Sequence, residues 1–355
     1  MKYIIVFFFL SLLISKYFSQ SLIPFDKSTE PEIFGFSAEG LDTLSNFLDK
    51  AGSSSMVIAS KGRVVYEWGN TNKKLTIHSI RKPLISALYG IYIEKGIIDT
   101  SATLASLKID DIEPRLSNNE KSAKIIDLLK SRSGVYHNAA ANAKGMTANR
   151  PERDSYKPGE NFYYNNWDFN VLGAILEQKT GKTLYELMDE EIAKKIGMTE
   201  YKGRFSIIDG EDSNAVIPDT DGFYQYEKSK SKYPAYHFRL SAIDLAKFGQ
   251  LYLNEGKWNG KQIISKKWIE KSTKAYSIIN NDYGIGYGLL WFVLIKNNLR
   301  DSKSFYHTGN QVHFLAVYPK SEMVVVHRVD TENNYSFSQN DFYKMIDLVW
   351  KSKID

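Results

Sequence analysis

The chain has no cysteine among its 355 residues, which excludes disulfides, a thiol nucleophile and a lipid-modified cysteine. Packing alone has to hold the fold. It is also poor in histidine, with six. Five of these, His78, His137, His237, His313 and His327, are scattered without metal-ligand spacing and read as packed or exposed residues. Nor is there a large excess of one charge: 46 basic residues stand against 41 acidic, a formal +5. No long Lys/Arg stripe with interleaved aromatics occurs, so nucleic acid is not an expected partner. The densest basic run, Lys228-Ser229-Lys230-Ser231-Lys232, reads as a solvated loop.

Long hydrophobic runs are scarce as well. One occurs at the start, where Met1-Lys2-Tyr3 precedes eleven mostly apolar residues, 4–14, followed by a polar, small-residue exit over 15–21. That order is the pattern of a secretory signal peptide, assigned here to residues 1–20, and predicts a secreted or periplasmic protein. Eleven residues fall short of the roughly 20 that span a bilayer, so no stable membrane anchor is expected.

The whole chain is 43% hydrophobic and 14% aromatic, ample for a large core. Residues 38–48 place Leu41, Leu44, Phe47 and Leu48 at helical spacing, and 55–60 and 63–68 read as a hairpin across Lys61-Gly62. Residues 83–98 are apolar on nearly every face and predict a helix buried on all sides that ends at Gly96. From about 100 to 240 there are helical patches, such as 123–129 and 170–178, with little strand signal. A helix is expected over 241–253, strands over 287–295, 312–318 and 323–329, and an amphipathic helix over 340–350. No internal repeat is visible. The pattern predicts an α+β fold: one antiparallel sheet flanked by N- and C-terminal helices, with an inserted, mostly helical lobe. The boundaries are a single catalytic domain over 21–355, its α/β lobe at about 35–76 and 240–355 and its helical lobe at about 77–239.

Three short motifs carry chemistry. Ser79 and Lys82 open the apolar helix, and positions three apart share a helix face, so the Lys82 amine can take the Ser79 proton. The helix N-terminus adds partial positive charge beside the serine. Ser229 and Lys232 repeat the spacing, but in a charged run with no apolar helix behind it. Tyr164 and Asn166 flank one residue ahead of a second helix and can face one cavity. A phenol beside a lysine ammonium is expected to have a lowered pKa, and an Asn amide can bind a substrate amide. The alternative is a tyrosine packed under a loop and an asparagine capping a helix. His307-Thr308-Gly309-Asn310 precedes the strand at 312–318, where Gly309 permits close backbone approach and a free N–H could complete an oxyanion hole.

This order, with Leu128 to Gly134, Pro158 to Gly173, Ile196 to Thr199, Leu240 to Gly249 and Trp258-Asn259-Gly260, resembles the penicillin-recognising serine hydrolases, in particular the class C β-lactamases, DD-peptidases and related esterases, over roughly residues 35–350. The resemblance implies a β-lactamase/transpeptidase-like fold in which Ser79 forms an acyl-enzyme and Lys82 and Tyr164 share acid/base duty. Asn166, His307, Thr308, Gly309 and Asn310 would bind substrate, with the Ser79 and Asn310 N–H groups as the oxyanion hole. It implies a small-molecule or peptide substrate and no metal or cofactor, because the serine, the base and two N–H donors cover activation, proton transfer and charge stabilisation. His307 stands where many relatives carry lysine, which points to an esterase or amidase ahead of a β-lactamase or a DD-carboxypeptidase acting on cell-wall peptides. A non-catalytic peptidoglycan- or penicillin-binding protein is a further alternative. Pro83 lacks an N–H, so distortion of the first helical turn is expected. Arg81 is expected to face solvent or an acid and has no assigned role, while Tyr136, Tyr163 and Trp167 are candidate pocket walls, with core packing an equal alternative.

Overall fold

A computed structural model describes residues 25–298 and 300–354. The expected signal segment lies outside the described residues. Ser37 accepts a hydrogen bond from the Gly40 N–H and opens the Ala38–Ala51 helix, which turns Leu41, Leu44 and Leu48 inward. The chain then forms β1 (Ser55–Ser60) and β2 (Arg63–Gly69), paired antiparallel across the expected Lys61-Gly62 turn. Next come β3 (Leu75–Thr76), β4 (Phe205–Asp209), β5 (Gly222–Tyr226) and β6 (Ala235–Leu240), which make a four-stranded sheet in the order β3-β6-β5-β4. A short ribbon pairs β7 (Lys257–Trp258) with β8 (Lys261–Gln262). The C-terminal part supplies β9 (Ser277–Asn280), β10 (Ile285–Tyr287), β11 (Phe292–Leu294), β12 (Ser304–Gly309), β13 (His313–Tyr318) and β14 (Met323–Arg328).

These last six strands join β1 and β2 in one eight-stranded sheet, ordered β2-β1-β14-β13-β12-β11-β10-β9 and antiparallel at every pair. One face of it is covered by the Ala38–Ala51 and Gln339–Lys351 helices, which also touch each other. The other face carries the Ala242–Leu253 helix and the larger core, continuous with the helical lobe. That helix lies close: a Cβ on Gly249 would sit 2.5 Å from Val324 Cγ1. Every residue of the Arg81–Glu94 helix from Arg81 to Tyr92 is buried, as its apolar faces foretold.

Two expectations need correction. The run 287–295 is not one strand but the hairpin β10–β11, because Leu290 adopts a left-handed φ of 66° and the Gly288 N–H bonds back to Trp291 O at 2.8 Å. The middle of the chain also holds strands β4–β6, where little strand signal was read. All of β6 is buried, so it lacks the alternation that marks a half-exposed strand, and edge strand β4 is short with Phe205 and Ile207 exposed. None of the described helices is long and apolar enough to cross a membrane.

Candidate active site

Ser79 sits in a 3-10 turn, His78–Ile80, that runs directly into the Arg81–Glu94 helix, so the first turn is distorted as Pro83 foretold. Lys82 Nζ lies 2.9 Å from Ser79 Oγ. The lysine is fully buried, with its amine 4.7 Å from the centre of the Tyr164 ring and 4.4 Å from that of Phe169. Burial holds the Lys82 pKa well below its ordinary value, and the Arg81 charge pushes the same way. A deprotonated amine within hydrogen-bonding distance is a competent acceptor for the serine proton.

His78, just before Ser79, takes a left-handed φ of 49°, a conformation costing a non-glycine residue about 1–3 kcal/mol. A buried chain of hydrogen bonds holds it. Arg328, with no exposed surface, donates from Nε to His313 Nδ1 (3.1 Å), from Nη1 to Leu240 O, and from Nη2 to Leu75 O and Thr76 O. Because His313 Nδ1 accepts, its Nε2 carries the proton and donates to Thr331 Oγ1 at 3.0 Å, leaving the Thr331 hydroxyl to donate to His78 Nε2 at 2.7 Å. The network links the end of β14 and β3 to the residue that sets the Ser79 backbone. Nothing in the spacing of these residues announced it, since Thr331 and His78 are 253 positions apart.

Tyr164 lies in the loop ahead of the Asn166–Thr180 helix. Asn165, not Asn166, caps that helix: its Oδ1 accepts from Trp167 N, while its Nδ2 donates to Val135 O (2.6 Å) and Asp168 Oδ1 (3.0 Å). Ser133 Oγ donates to the same Asp168 oxygen at 2.6 Å, so the Leu128 to Gly134 landmark serves to fix the Tyr164 loop. The Tyr164 pKa is raised by burial, with the Ser79 hydroxyl and the Arg81 charge acting in opposition. This reverses the expected lowering. The expectation set a lysine ammonium beside the phenol against no cost of burial, and burial of the phenol is the larger effect.

His307 has no exposed surface. Its ring centre lies 4.9 Å from that of Phe292 and 6.3 Å from that of Tyr164. Nδ1 bonds to Thr308 O at 2.8 Å and therefore carries the proton, so Nε2 presents a lone pair that no described side chain satisfies. Burial first, and then the nearby Lys82, hold its pKa well below the usual imidazole value. Gly309 ends β12 against the turn that holds Ser79: a Cβ there would lie 2.4 Å from Ile77 O. Asn310 and Gln311, at φ 46° and 61°, form the tight turn into β13, closed by Val312 N–H to Gly309 O at 3.1 Å.

The remaining candidates fall elsewhere. Asn166 is 5% exposed and its Nδ2 donates to Ala141 O at 2.7 Å, tying down the 139–142 loop. The pleat of β12 sends Thr308 to the face shared with Ser304 and Tyr306, opposite His307. The Asn310 side chain donates to the Tyr335 hydroxyl at 3.0 Å. Trp167 is core rather than pocket wall, donating to Asp111 Oδ2 at 2.7 Å, and Tyr163 bonds to Met146 O. His137 is 4% exposed, with both ring nitrogens against backbone carbonyls. Arg81, expected to meet solvent or an acid, meets neither: it is 3% exposed and makes no ion pair among the described residues. A cavity of about 950 Å³ lies across the large sheet, between β10–β13 and the Gln339–Lys351 helix, and none of the site residues lines it. No group of described residues could hold a metal ion.

The site thus combines a serine, a buried amine, a phenol and a strand end, contributed by both lobes. An uncharacterized protein of Alkalihalophilus pseudofirmus is 24% identical over 266 residues, 70% of this chain and 73% of its own length. A Bacillus anthracis structure assigned as a 6-aminohexanoate-dimer hydrolase is similar at TM-score 0.63 and 22% identity, over 86% of this chain and 80% of that one. EstCE1, described as a hydrolase with promiscuous acyltransferase activity, is similar at TM-score 0.63 and 16% identity, over 91% of this chain and all of its own (100%). The sequence profile of the beta-lactamase family matches residues 42–347, and the chain belongs to that family of serine hydrolase-fold proteins.

Proposed function

We propose that the protein hydrolyses an ester or amide bond through an acyl-enzyme on Ser79. The observation that carries this reading is the fully buried Lys82 amine 2.9 Å from Ser79 Oγ. Ser79 Oγ attacks the substrate carbonyl carbon while its proton passes to Lys82. The carbonyl oxygen becomes an oxyanion, for which the Ser79 and Asn310 N–H groups are the donors. The carbon–heteroatom bond then breaks, and Tyr164 relays the proton from Lys82 to the departing alcohol or amine. Water attacks the acyl-enzyme by the same route in reverse, giving the acid and free Ser79. With the phenol pKa raised and that of Lys82 lowered by burial, Tyr164 acts as the relay and Lys82 as the base.

The substrate end that meets β12 finds the neutral, buried His307 rather than a fixed cation, which favours uncharged acyl or leaving groups over those with a free carboxylate. Esterase or amidase activity therefore ranks ahead of β-lactamase or DD-carboxypeptidase activity. The protein is proposed to work outside the cytoplasm, on the signal-like pattern of residues 1–20; N-terminal sequencing of the mature protein tests this. Hydrolysis of p-nitrophenyl butyrate by the wild type, and its loss in Ser79→Ala purified identically, tests the function. Equal rates in the two, or efficient turnover of β-lactams with none of the ester, would overturn the assignment.

A further inference from the structure

The large sheet is covered unequally on the face opposite the larger core. Beneath the Ala38–Ala51 and Gln339–Lys351 helices, the buried strand residues come from β1, β2, β13 and β14 and none from β9–β11, with Tyr306 of β12 packed at the margin. The strands that run past the C-terminal helix leave the cavity of about 950 Å³, within the roughly 300–1,000 Å³ of small-molecule sites. Its apolar lining is contributed from two sides. Tyr306 and Phe314 come from the sheet and Phe342 and Ile346 from the helix, while Tyr343 and Trp350 stay 64% and 39% exposed. Aromatic surface left open beside a concavity marks a place where a ligand or partner sits.

One end of the cavity is basic. Residues 300–303 and Lys320 close it, where β12 begins and β13 finishes. The lining there holds three cations, Arg300, Lys303 and Lys320, against one acid, Asp301. Lys320 and Asp301 pair with each other. Lys303 donates to Thr273 Oγ1 at 3.1 Å. Arg300 makes no ion pair among the described residues, and its one hydrogen bond to the protein there runs from Nη1 to Tyr283 O at 2.6 Å. Its charge acts on the Tyr306 and Tyr318 phenols, which line the same cavity. A guanidinium carries five N–H donors in a planar fork that matches a carboxylate, so most of its capacity is open. One free fork beside an aromatic trough suits a monoanionic head on an apolar body; a neutral ligand would cover the cation without a partner for it.

We propose that this cavity binds an organic carboxylate with an extended apolar body, the carboxylate on the Arg300 guanidinium and the body against the aromatic lining. The site is distinct from the one around Ser79, because the pleat of β12 turns Tyr306 to the face opposite His307. It does not depend on the acyl-enzyme reading.

The test is titration of dodecanoate into wild type, Ser79→Ala, Arg300→Gln and Ile346→Glu, followed by calorimetry and by tryptophan fluorescence, with dodecanol as the uncharged comparison. Saturable binding of dodecanoate is expected, equal in Ser79→Ala and weaker by about tenfold or more in Arg300→Gln. Ile346→Glu, which sets a carboxylate against the apolar lining, should abolish it, and dodecanol should bind more weakly than dodecanoate. The fluorescence change should vanish in Trp350→Phe, which locates the ligand. Absence of saturable binding, binding that Arg300→Gln and Ile346→Glu leave unchanged, or equal affinity for dodecanol overturns the proposal. Other occupants have their own signatures. Co-sedimentation with phosphatidylglycerol vesicles that Arg300→Gln removes, with no dodecanoate bound, would assign the face to a membrane. A dimer in light scattering that Ile346→Glu splits, again with no dodecanoate bound, would assign it to a second copy of the chain; either result overturns the small-molecule site. Circular dichroism checks each variant, and Arg300→Gln, in a turn ahead of β12, carries the test should Ile346→Glu fail to fold.

Discussion

Replacing Gly309 with alanine isolates one geometric requirement of the site. Gly309 is not in the left-handed region, so an added Cβ creates no backbone strain of its own. It would, however, sit 2.4 Å from Ile77 O and 3.2 Å from His313 Cβ. An ordinary contact between such atoms is nearer 3.5 Å, so the end of β12 and the nucleophile turn must part by about 1 Å. Ile77 immediately precedes the turn holding Ser79, and Asn310 immediately follows Gly309, so the displacement falls between the two proposed oxyanion donors. Misplacement of about 1 Å costs on the order of 100-fold, and loss of one oxyanion donor about 100- to 1000-fold. Overpacking at one contact destabilises by about 1–3 kcal/mol, too little to unfold a protein of ordinary stability. The expected result is a folded Gly309→Ala protein with a Tm a few degrees lower and kcat for p-nitrophenyl butyrate reduced about 100-fold or more. Wild-type kcat in the folded variant would refute the placement of the oxyanion hole at this strand end.

Other consequences follow from the buried polar groups. Lys82→Met removes the base and should lower kcat/KM by about 100- to 10,000-fold. It should also raise stability at neutral pH: the folded pKa of Lys82 is depressed, so the unfolded chain binds the extra proton between that pKa and about 10.5, and wild-type stability rises with pH across this window. Equal urea midpoints for the two proteins at neutral pH would contradict this. His327 is fully buried with its pKa lowered to about 4, from 6.5. Its contribution is intact above the unfolded value and lost as pH falls towards the folded one, up to about 3 kcal/mol; a flat urea-unfolding profile between pH 6.5 and 4 would contradict it. Thr331→Val breaks the link between His313 and His78 and should cost about 1–3 kcal/mol. It should lower kcat more than it raises KM, because Thr331 reaches Ser79 only through the backbone of His78; unchanged kcat would remove the network from the account of Ser79.

The parts of this fold legible in the sequence were those that repeat a period or punctuate it. Residues 38–48 and 340–350 announced helices because one face of each is buried against the large sheet, and 55–68 announced a hairpin because Lys61-Gly62 suits the left-handed turn it makes. The pairing of Ser79 with Lys82 was legible because one helical turn brings them together. Legibility failed where burial is uniform or partners are remote. β6 is buried at every position and so shows no alternation, while the hairpin β10–β11 hides a left-handed leucine inside an apolar run. The Tyr164 pKa was read with the wrong sign because sequence does not reveal how deeply the phenol itself is buried. Arg81 was assigned to solvent or to an acid because arginines usually go there, and only the packing of Tyr236 and the helix around it shows otherwise.

The central claim, a covalent intermediate on Ser79, is tested most directly by quenching the enzyme during turnover of p-nitrophenyl butyrate and measuring the intact and peptide masses. A butyryl adduct confined to the peptide containing Ser79, and absent from Ser79→Ala, is the expected result. Turnover without any adduct on that peptide, persisting in Ser79→Ala, would contradict it.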